Sequence, residues 1–233
     1  MTKTEQLSLG IVLDDQATYE NFYAPRGSTH YLATMIVQDS HQQLACIVGK
    51  TGSGLSHLLQ AACQKHPFQQ VNKAIYLPMS ELQEFQPQQI FEDLHQLELV
   101  CIDDFHLVAH REAWQVPLFN FFNECKDSGA RLVFASQKMP DDLGISLADL
   151  LSRLKSALVH QLVDFSDDDL RRLLQLRANV RGMYISDEVA KFLMHRLQRD
   201  THSLMQALET LDKASLQAQR RLTMPFVKTA LNL

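Results

Sequence analysis

The chain has 233 residues, 45% of them hydrophobic and 21% charged, with a formal net charge of −5. That length suits one large domain or a large and a small one, and the composition excludes a disordered chain. The acidic balance lacks the general footprint of a nucleic-acid binder, and no apolar run approaches the ~20 residues a membrane helix needs. The opening "MTKTEQLSLGIVLDDQ" has neither the basic start nor the apolar core of a signal peptide, so the cytoplasm is the expected compartment and no membrane partner is expected. The four cysteines (Cys46, Cys63, Cys101, Cys125) make no C-x-x-C pair and no disulfide framework, which fits a reducing compartment. The ten histidines are scattered without H-E-x-x-H or similar spacing, so a structural metal is not expected.

In chain order, "LACIVG" (44–49), "AIYLPM" (74–79), "LVCIDDF" (99–105), "RLVFAS" (131–136) and "LVHQLVDF" (158–165) read as strands. They are mostly continuous apolar runs, as expected when helices cover both faces of a sheet. Between them "SHLLQAACQKH", "PQQIFEDLHQL", "AWQVPLFNFFNECKDSG" and "SLADLLSRLKSA" place apolar residues at helical spacing. The alternation predicts an α/β fold, a five-stranded parallel sheet flanked by helices. After Phe165 only helices are predicted. "SDDDLRRLLQLRANVRG" opens on a capping serine and an acidic first turn and closes on Gly182, and "SDEVAKFLMHRLQ" repeats the start signal at Ser186. "THSLMQALETLDKASLQAQR" and "TMPFVKTALNL" complete a small all-helical domain. The charge divides with the pattern: residues 1–165 hold 11 Lys/Arg against 19 Asp/Glu, a net of −8, whereas residues 166–233 hold 11 against 8, a net of +3. The expected organisation is a tail over 1–16, an α/β domain over 17–165 and a helical domain over 166–233.

"GKTGSGLSHLL" (49–59) follows a predicted strand and opens a predicted helix, the context of a phosphate-binding loop. Gly49, Thr51, Gly52, Ser53 and Gly54 would let backbone amides curl round phosphates at a helix N-terminus, with Leu55, Ser56 and His57 continuing the site. The pattern G-x-x-x-x-G-K-[ST] is met except at its lysine, where Leu55 stands. Ser56 could still place its hydroxyl on Mg²⁺, but leucine supplies no charge to the β- and γ-phosphates; Lys50 sits at the loop's start. "LELVCIDDF" ends an apolar strand on Asp103–Asp104, with Asp103 on the metal side and Asp104 on the side of the attacking water. A nucleotide site follows from the pair of elements, and efficient self-hydrolysis does not, because the missing cation acts mainly on the transferring phosphoryl group.

At these motifs the chain resembles the AAA+ ATPases, and among them the replication initiator DnaA and its shorter regulatory relatives. The resemblance covers nearly the whole length and implies a AAA+ P-loop domain with a helical lid. It also implies a negative regulator of replication initiation, which stimulates hydrolysis of DnaA-bound ATP while docked on a DNA-loaded sliding clamp. "QLSLGI" looks like the clamp-binding peptide, with Gln6, Leu7, Leu9 and Ile11 entering the clamp. "ATYENFYAPRGSTHYL" (17–32) is similar to the segment that precedes the first helix and lines the nucleobase pocket, making Phe22 and Tyr23 candidates for base contact. "RLVFASQKMP" resembles the sensor-1 strand, with Gln137 best placed to help position water. "LLSRLKSALV" resembles the segment carrying the arginine finger, which puts that role on Arg153; from spacing alone Arg153 is a surface residue of an amphipathic helix.

Two departures bear on the activity. Leu55 replaces the loop lysine, and in "QRDTHSLMQAL" the sensor-2 arginine position holds His202, which cannot grip phosphate as a guanidinium does. Both weaken this chain's own catalysis and neither touches Arg153. The resemblance therefore implies an adenine nucleotide, ADP first, held with Mg²⁺ as a structural ligand, and an arginine given to another protein. DNA contact is expected to be indirect or weak and salt-sensitive. A monomer, a homo-oligomer and an assembly alternating with the initiator are all compatible with it, and a helicase loader working from its own nucleotide site is the alternative of another kind.

Overall fold

A computed structural model describes residues 13–64, 73–219 and 221–233. The chain forms two compact units that divide between Val163 and Asp164. The first holds β1 (Leu44–Val48), β2 (Ala74–Pro78), β3 (Leu99–Asp103), β4 (Arg131–Ser136) and β5 (Leu158–Gln161). They make one sheet in the order β2-β3-β4-β1-β5, with every pairing parallel. The continuous apolar runs are explained by burial on both faces. Ala45, Ile47, Cys101, Val133 and Ala135 face a cluster that includes Leu55, Leu58 and Leu59 of α2 (Leu55–Gln64) and Ala33 and Val37 of α1 (Thr29–Gln38). Cys46, Val48, Val100, Ile102, Leu132 and Phe134 face the other way. They meet Met79 and Leu82 of α3 (Met79–Leu82), Ile90 and Phe91 of α4 (Pro87–Phe91), Trp114, Leu118, Phe121 and Phe122 of α5 (Glu112–Ser128), and Leu150 and Leu154 of α6 (Ala148–Lys155). Alternate residues of each strand thus feed two helical layers.

Two elements differ from the periodicity reading. "PQQIFEDLHQL" is a helix only to Phe91. Asp93 takes a left-handed backbone (φ 62°), after which Leu94–Gln96 form one 3₁₀ turn. Packing decides the break, because Phe91 stacks on Phe121 at 4.6 Å between ring centroids while Leu94 and Leu97 turn back toward the same core. β5 ends at Gln161 rather than running to Phe165, since β1 gives way to the glycine loop beyond Val48 and the ladder has no further partner. The Val163 amide donates instead to Thr29 Oγ1 at 3.0 Å.

The second unit is four helices, α7 (Asp167–Val180), α8 (Asp187–Arg196), α9 (Thr201–Ala218) and α10 (Met224–Leu231). Ser166 and Asp169 make a reciprocal capping box, Ser186 caps α8, and Asp200 caps α9 through the Ser203 amide. Leu174, Ala190, Leu193, Leu204, Leu208, Leu211 and Val227 are fully buried in it. Outside, Arg171 bridges Asp168 and Asp187, Lys191 pairs with Asp187, and Arg199 with Asp167. No helix among the described residues is long and apolar enough to cross a membrane.

Candidate functional site

The carboxyl ends of β1, β3 and β4 gather most of the candidate residues. The Gly49 amide donates to the Ser136 carbonyl at 3.0 Å, which ties the start of the glycine loop to the end of β4. Gly52 (φ 80°) and Gly54 (φ 91°) then take a backbone that side chains avoid, turning the loop into the first turn of α2. Close packing adds a second requirement for glycine. A Cβ on Gly54 would lie 2.8 Å from the Phe22 ring, and one on Gly49 2.5 Å from Ser53 Oγ. Thr51 and Gly52 are exposed, whereas Ser53 is buried and its hydroxyl has no hydrogen-bond partner among the described residues. An orphaned buried hydroxyl inside a loop of exposed amides at a helix N-terminus fits a phosphate group.

Leu55 explains why the loop lacks its lysine without collapsing. Its side chain is buried in the core with Leu58 and Leu59, so the residue offers a ligand only its backbone. Ser56 is exposed at the next position, and His57 Nε2 donates to the Thr18 carbonyl at 2.7 Å. Phe22, half-buried, sits with its ring centroid 5.4 Å from that of His57 and 6.1 Å from that of His30. Phe22 and Tyr23, both partly exposed, therefore belong to the segment that lies over the loop. The quoted segment also contains a helix start: Ser28 caps α1 through the Tyr31 amide.

Asp103 is buried, and Asp104, half-buried after it, has a left-handed backbone (φ 51°). The Tyr76 hydroxyl donates to Asp103 Oδ2 at 2.6 Å, and the Asp104 amide to Oδ1 at 2.9 Å. Burial first, then the Asp103 charge beside it, hold the Tyr76 phenol far above its usual titration, so it stays a donor. Tyr76 thus orients Asp103, one of the two candidate metal ligands. Burial, and next the Asp103 charge, raise the Asp104 carboxyl above its ordinary value. Burial also lowers His106, whose Nδ1 accepts from the exposed Gln137 amide at 3.4 Å. Gln137 therefore stands beside His106, one residue past the end of β4.

Sequence reasoning missed Tyr76, His30 and His106. His30 is buried and donates from Nε2 to the Ser53 carbonyl at 3.1 Å. Tyr76 read as one more apolar strand residue. The available signal was its period-2 position in "AIYLPM", two residues before the strand end, on the strand that pairs with Asp103. Gln6, Leu7, Leu9 and Ile11 lie outside the described residues. His202 is exposed in the first turn of α9, in the second unit.

Arg153 lies elsewhere. It is in the last turn of α6 and lines a cleft of about 330 Å³ with Leu44 at the start of β1 and Leu132 near the start of β4. The glycine loop leaves the opposite end of β1, and five residues of strand span roughly 16 Å. Among the described residues the Arg153 guanidinium takes no ion pair.

A doubly layered parallel sheet with a phosphate loop, paired acids at strand ends and a helical companion is a AAA+ nucleotide-binding protein. Residues 13–163 match the family model of the bacterial DnaA ATPase domain, and residues 167–231 that of the Hda lid domain. The chain belongs to the DnaA ATPase-domain family, with a lid of the Hda kind. A relative from Haemophilus influenzae is 44% identical over 98% of this chain and 99% of its own. Domain III of the Thermotoga maritima replication initiation protein DnaA superposes with a TM-score of 0.77 at 20% identity, over 95% of this chain and 98% of that one. AMPPCP-bound DnaA from Aquifex aeolicus gives 0.73 at 18% identity, over 89% and 68%. The more distant Thermotoga maritima RuvB motor gives 0.68 at 13%, over 93% and 71%, so the fold extends beyond the initiators.

Proposed function

We propose that this chain is a negative regulator of replication initiation that holds a nucleotide as a structural ligand and donates Arg153 to ATP bound by the initiator DnaA. The observation that carries the reading is the separation of the two ends of the sheet. Arg153, which takes no ion pair among the described residues, lies at the amino end, away from this chain's own phosphate loop, while the lysine position of that loop is a buried leucine. A guanidinium so placed serves a neighbour's phosphates, where such fingers are worth ~10³–10⁵ in rate.

In the chain's own loop, the backbone of Gly49 to Gly54 would hold the phosphates, with Leu55, Ser56 and His57 in the first turn behind them and Phe22 and Tyr23 at the base. Ser56 and Asp103 would hold Mg²⁺, which would supply positive charge to offset that of the phosphates. Asp104 and Gln137 would orient water. With Leu55 in place of lysine and His202 in place of the sensor arginine, ADP is the expected resident. Bound only to the folded state, it adds RT ln(1 + [L]/Kd) of stability. Residues 1–16 would form the tail whose Gln6, Leu7, Leu9 and Ile11 dock on the sliding clamp, followed by the nucleotide domain to about 165 and the lid from 166. Docking raises the local concentration near the initiator on the same DNA. The cytoplasm is the matching compartment.

The test is hydrolysis of radiolabelled ATP pre-bound to the initiator, with DNA-loaded clamp, on adding wild type or Arg153→Ala. Clamp-dependent conversion to ADP by wild type alone is the expected result. Equal inactivity of both overturns the reading in favour of a protein working from its own site, such as a helicase loader.

A further inference from the structure

Two cations, not one, face the Arg153 cleft. Lys126, in the last turn of α5, lines it together with Arg153, His41, Gln43 and Ser156. No aspartate or glutamate is among the lining residues. A second cleft, between α4 and α5, is lined by Glu92, Asp93 and Glu124. A third, in the helical unit, sets Asp167 and Asp168 against Arg171 and Arg199, which are ion-paired. In the Arg153 cleft, neither cation takes an ion pair among the described residues.

The ordinary duty of a lysine or arginine at a helix C-terminus is to meet the last carbonyls and the negative end of the dipole. Here other groups do that work. Gln43 Nε2 donates to the Lys126 carbonyl at 3.1 Å and to the Cys125 carbonyl at 3.4 Å, and Ser128 Oγ donates to the latter at 3.2 Å. The Arg153 carbonyl accepts from the Ser156 hydroxyl at 2.6 Å and the Ser156 amide at 3.1 Å. Both helix ends are capped by neutral donors, which leaves both cations to the cleft. Its floor includes Phe122, Leu132 and Cys125. Burial pushes the Cys125 thiol up to about 12, so the floor carries no thiolate to oppose an anion.

We propose that this cleft is a two-cation receptor for the triphosphate of a nucleotide held by a neighbouring subunit, with Lys126 contacting the phosphates beside Arg153. The inference rests on the trans-acting reading of Arg153 given above. Arg153 supplies a planar fork that matches a pair of phosphate oxygens, and Lys126 a compact charge that follows the phosphate as it moves. The apolar floor keeps the local dielectric low, which strengthens both attractions.

The experiment uses full-length protein, clamp-loaded DNA and initiator carrying radiolabelled ATP. Wild type is compared with Arg153→Ala, Lys126→Ala and Lys126→Arg, with the melting temperature of each recorded. The saturated rate is expected to fall about tenfold in Lys126→Ala, the loss of one charge-assisted contact, and to recover in Lys126→Arg, with melting temperatures unchanged. Full activity of Lys126→Ala beside an inactive Arg153→Ala overturns this inference and leaves the trans-acting finger standing. A loss confined to the half-saturating concentration, with the saturated rate intact, makes Lys126 an interface contact and also overturns it. Full activity of Arg153→Ala overturns the functional reading and this inference together.

Discussion

At the carboxyl ends of the strands, polar groups around the glycine loop hold one another: Tyr76 and the Asp104 amide on Asp103, His30 on the Ser53 carbonyl, the Gln137 amide on His106. At the amino ends, Arg153 and Lys126 line a cleft without carboxylates, their helix ends already capped by neutral side chains. A site that retains a ligand benefits from groups positioned in advance, as these are, with the buried Ser53 hydroxyl left for the ligand. A site that acts on another protein's nucleotide needs its charge available until the partner arrives. Within one domain, the contrast suits the proposed retained nucleotide at one end and the proposed donated cation at the other.

The largest expected effect tests whether the two ends are independent. Arg153→Ala should lower stimulated hydrolysis of initiator-bound ATP by ~10³ while leaving this chain's own nucleotide affinity, measured by calorimetry, unchanged. A parallel loss of affinity would show that the ends are coupled. Next comes the leucine in the loop. Leu55→Ala should cost about 2–3 kcal/mol in urea unfolding, because the side chain is a core residue; a cost near zero would place it outside the core.

Tyr76→Phe should cost about 1–2 kcal/mol in the same assay, by removing a donor from a buried carboxylate. It should also weaken Mg²⁺-nucleotide binding more than metal-free binding, since Tyr76 orients Asp103. Equal weakening of both would limit Tyr76 to the fold.

The smallest effect concerns Asp104. Its carboxyl is raised above its ordinary value, so ionising it costs the folded state. That cost is fully present above the raised value and disappears as pH falls below the ordinary carboxylate range. Asp104→Asn should therefore raise the melting temperature by about 1–2 °C at neutral pH, a gain that vanishes in acid. The reverse pH trend would mean that His106, lowered by burial, dominates this corner.

Much of the fold was legible because its signals are local. Five apolar runs became five parallel strands, and Ser166, Ser186 and Gly182 marked helix ends, because capping depends on neighbours three or four residues away. The glycine loop was legible for the same reason. The ends of β5 and of the "PQQIFEDLHQL" helix were not, since one depends on where its partner strand stops and the other on the seat of Phe91 against Phe121.

The amino-acid sequence by itself determined the α/β alternation, the helical second unit, the glycine loop with Leu55 at its lysine position, and the paired acids that follow an apolar strand. Those features are written in spacing along the chain. Only the tertiary structure decided that Leu55 is a core residue, that Tyr76 donates to Asp103, and that Arg153 shares with Lys126 a cleft whose described lining holds no carboxylate. The reason is distance along the chain. Tyr76 and Asp103 are 27 residues apart and Lys126 and Arg153 a further such interval, so no local period relates them. The strand order β2-β3-β4-β1-β5 sets Tyr76 beside Asp103, and the seating of α5 and α6 on one sheet face brings Lys126 to Arg153.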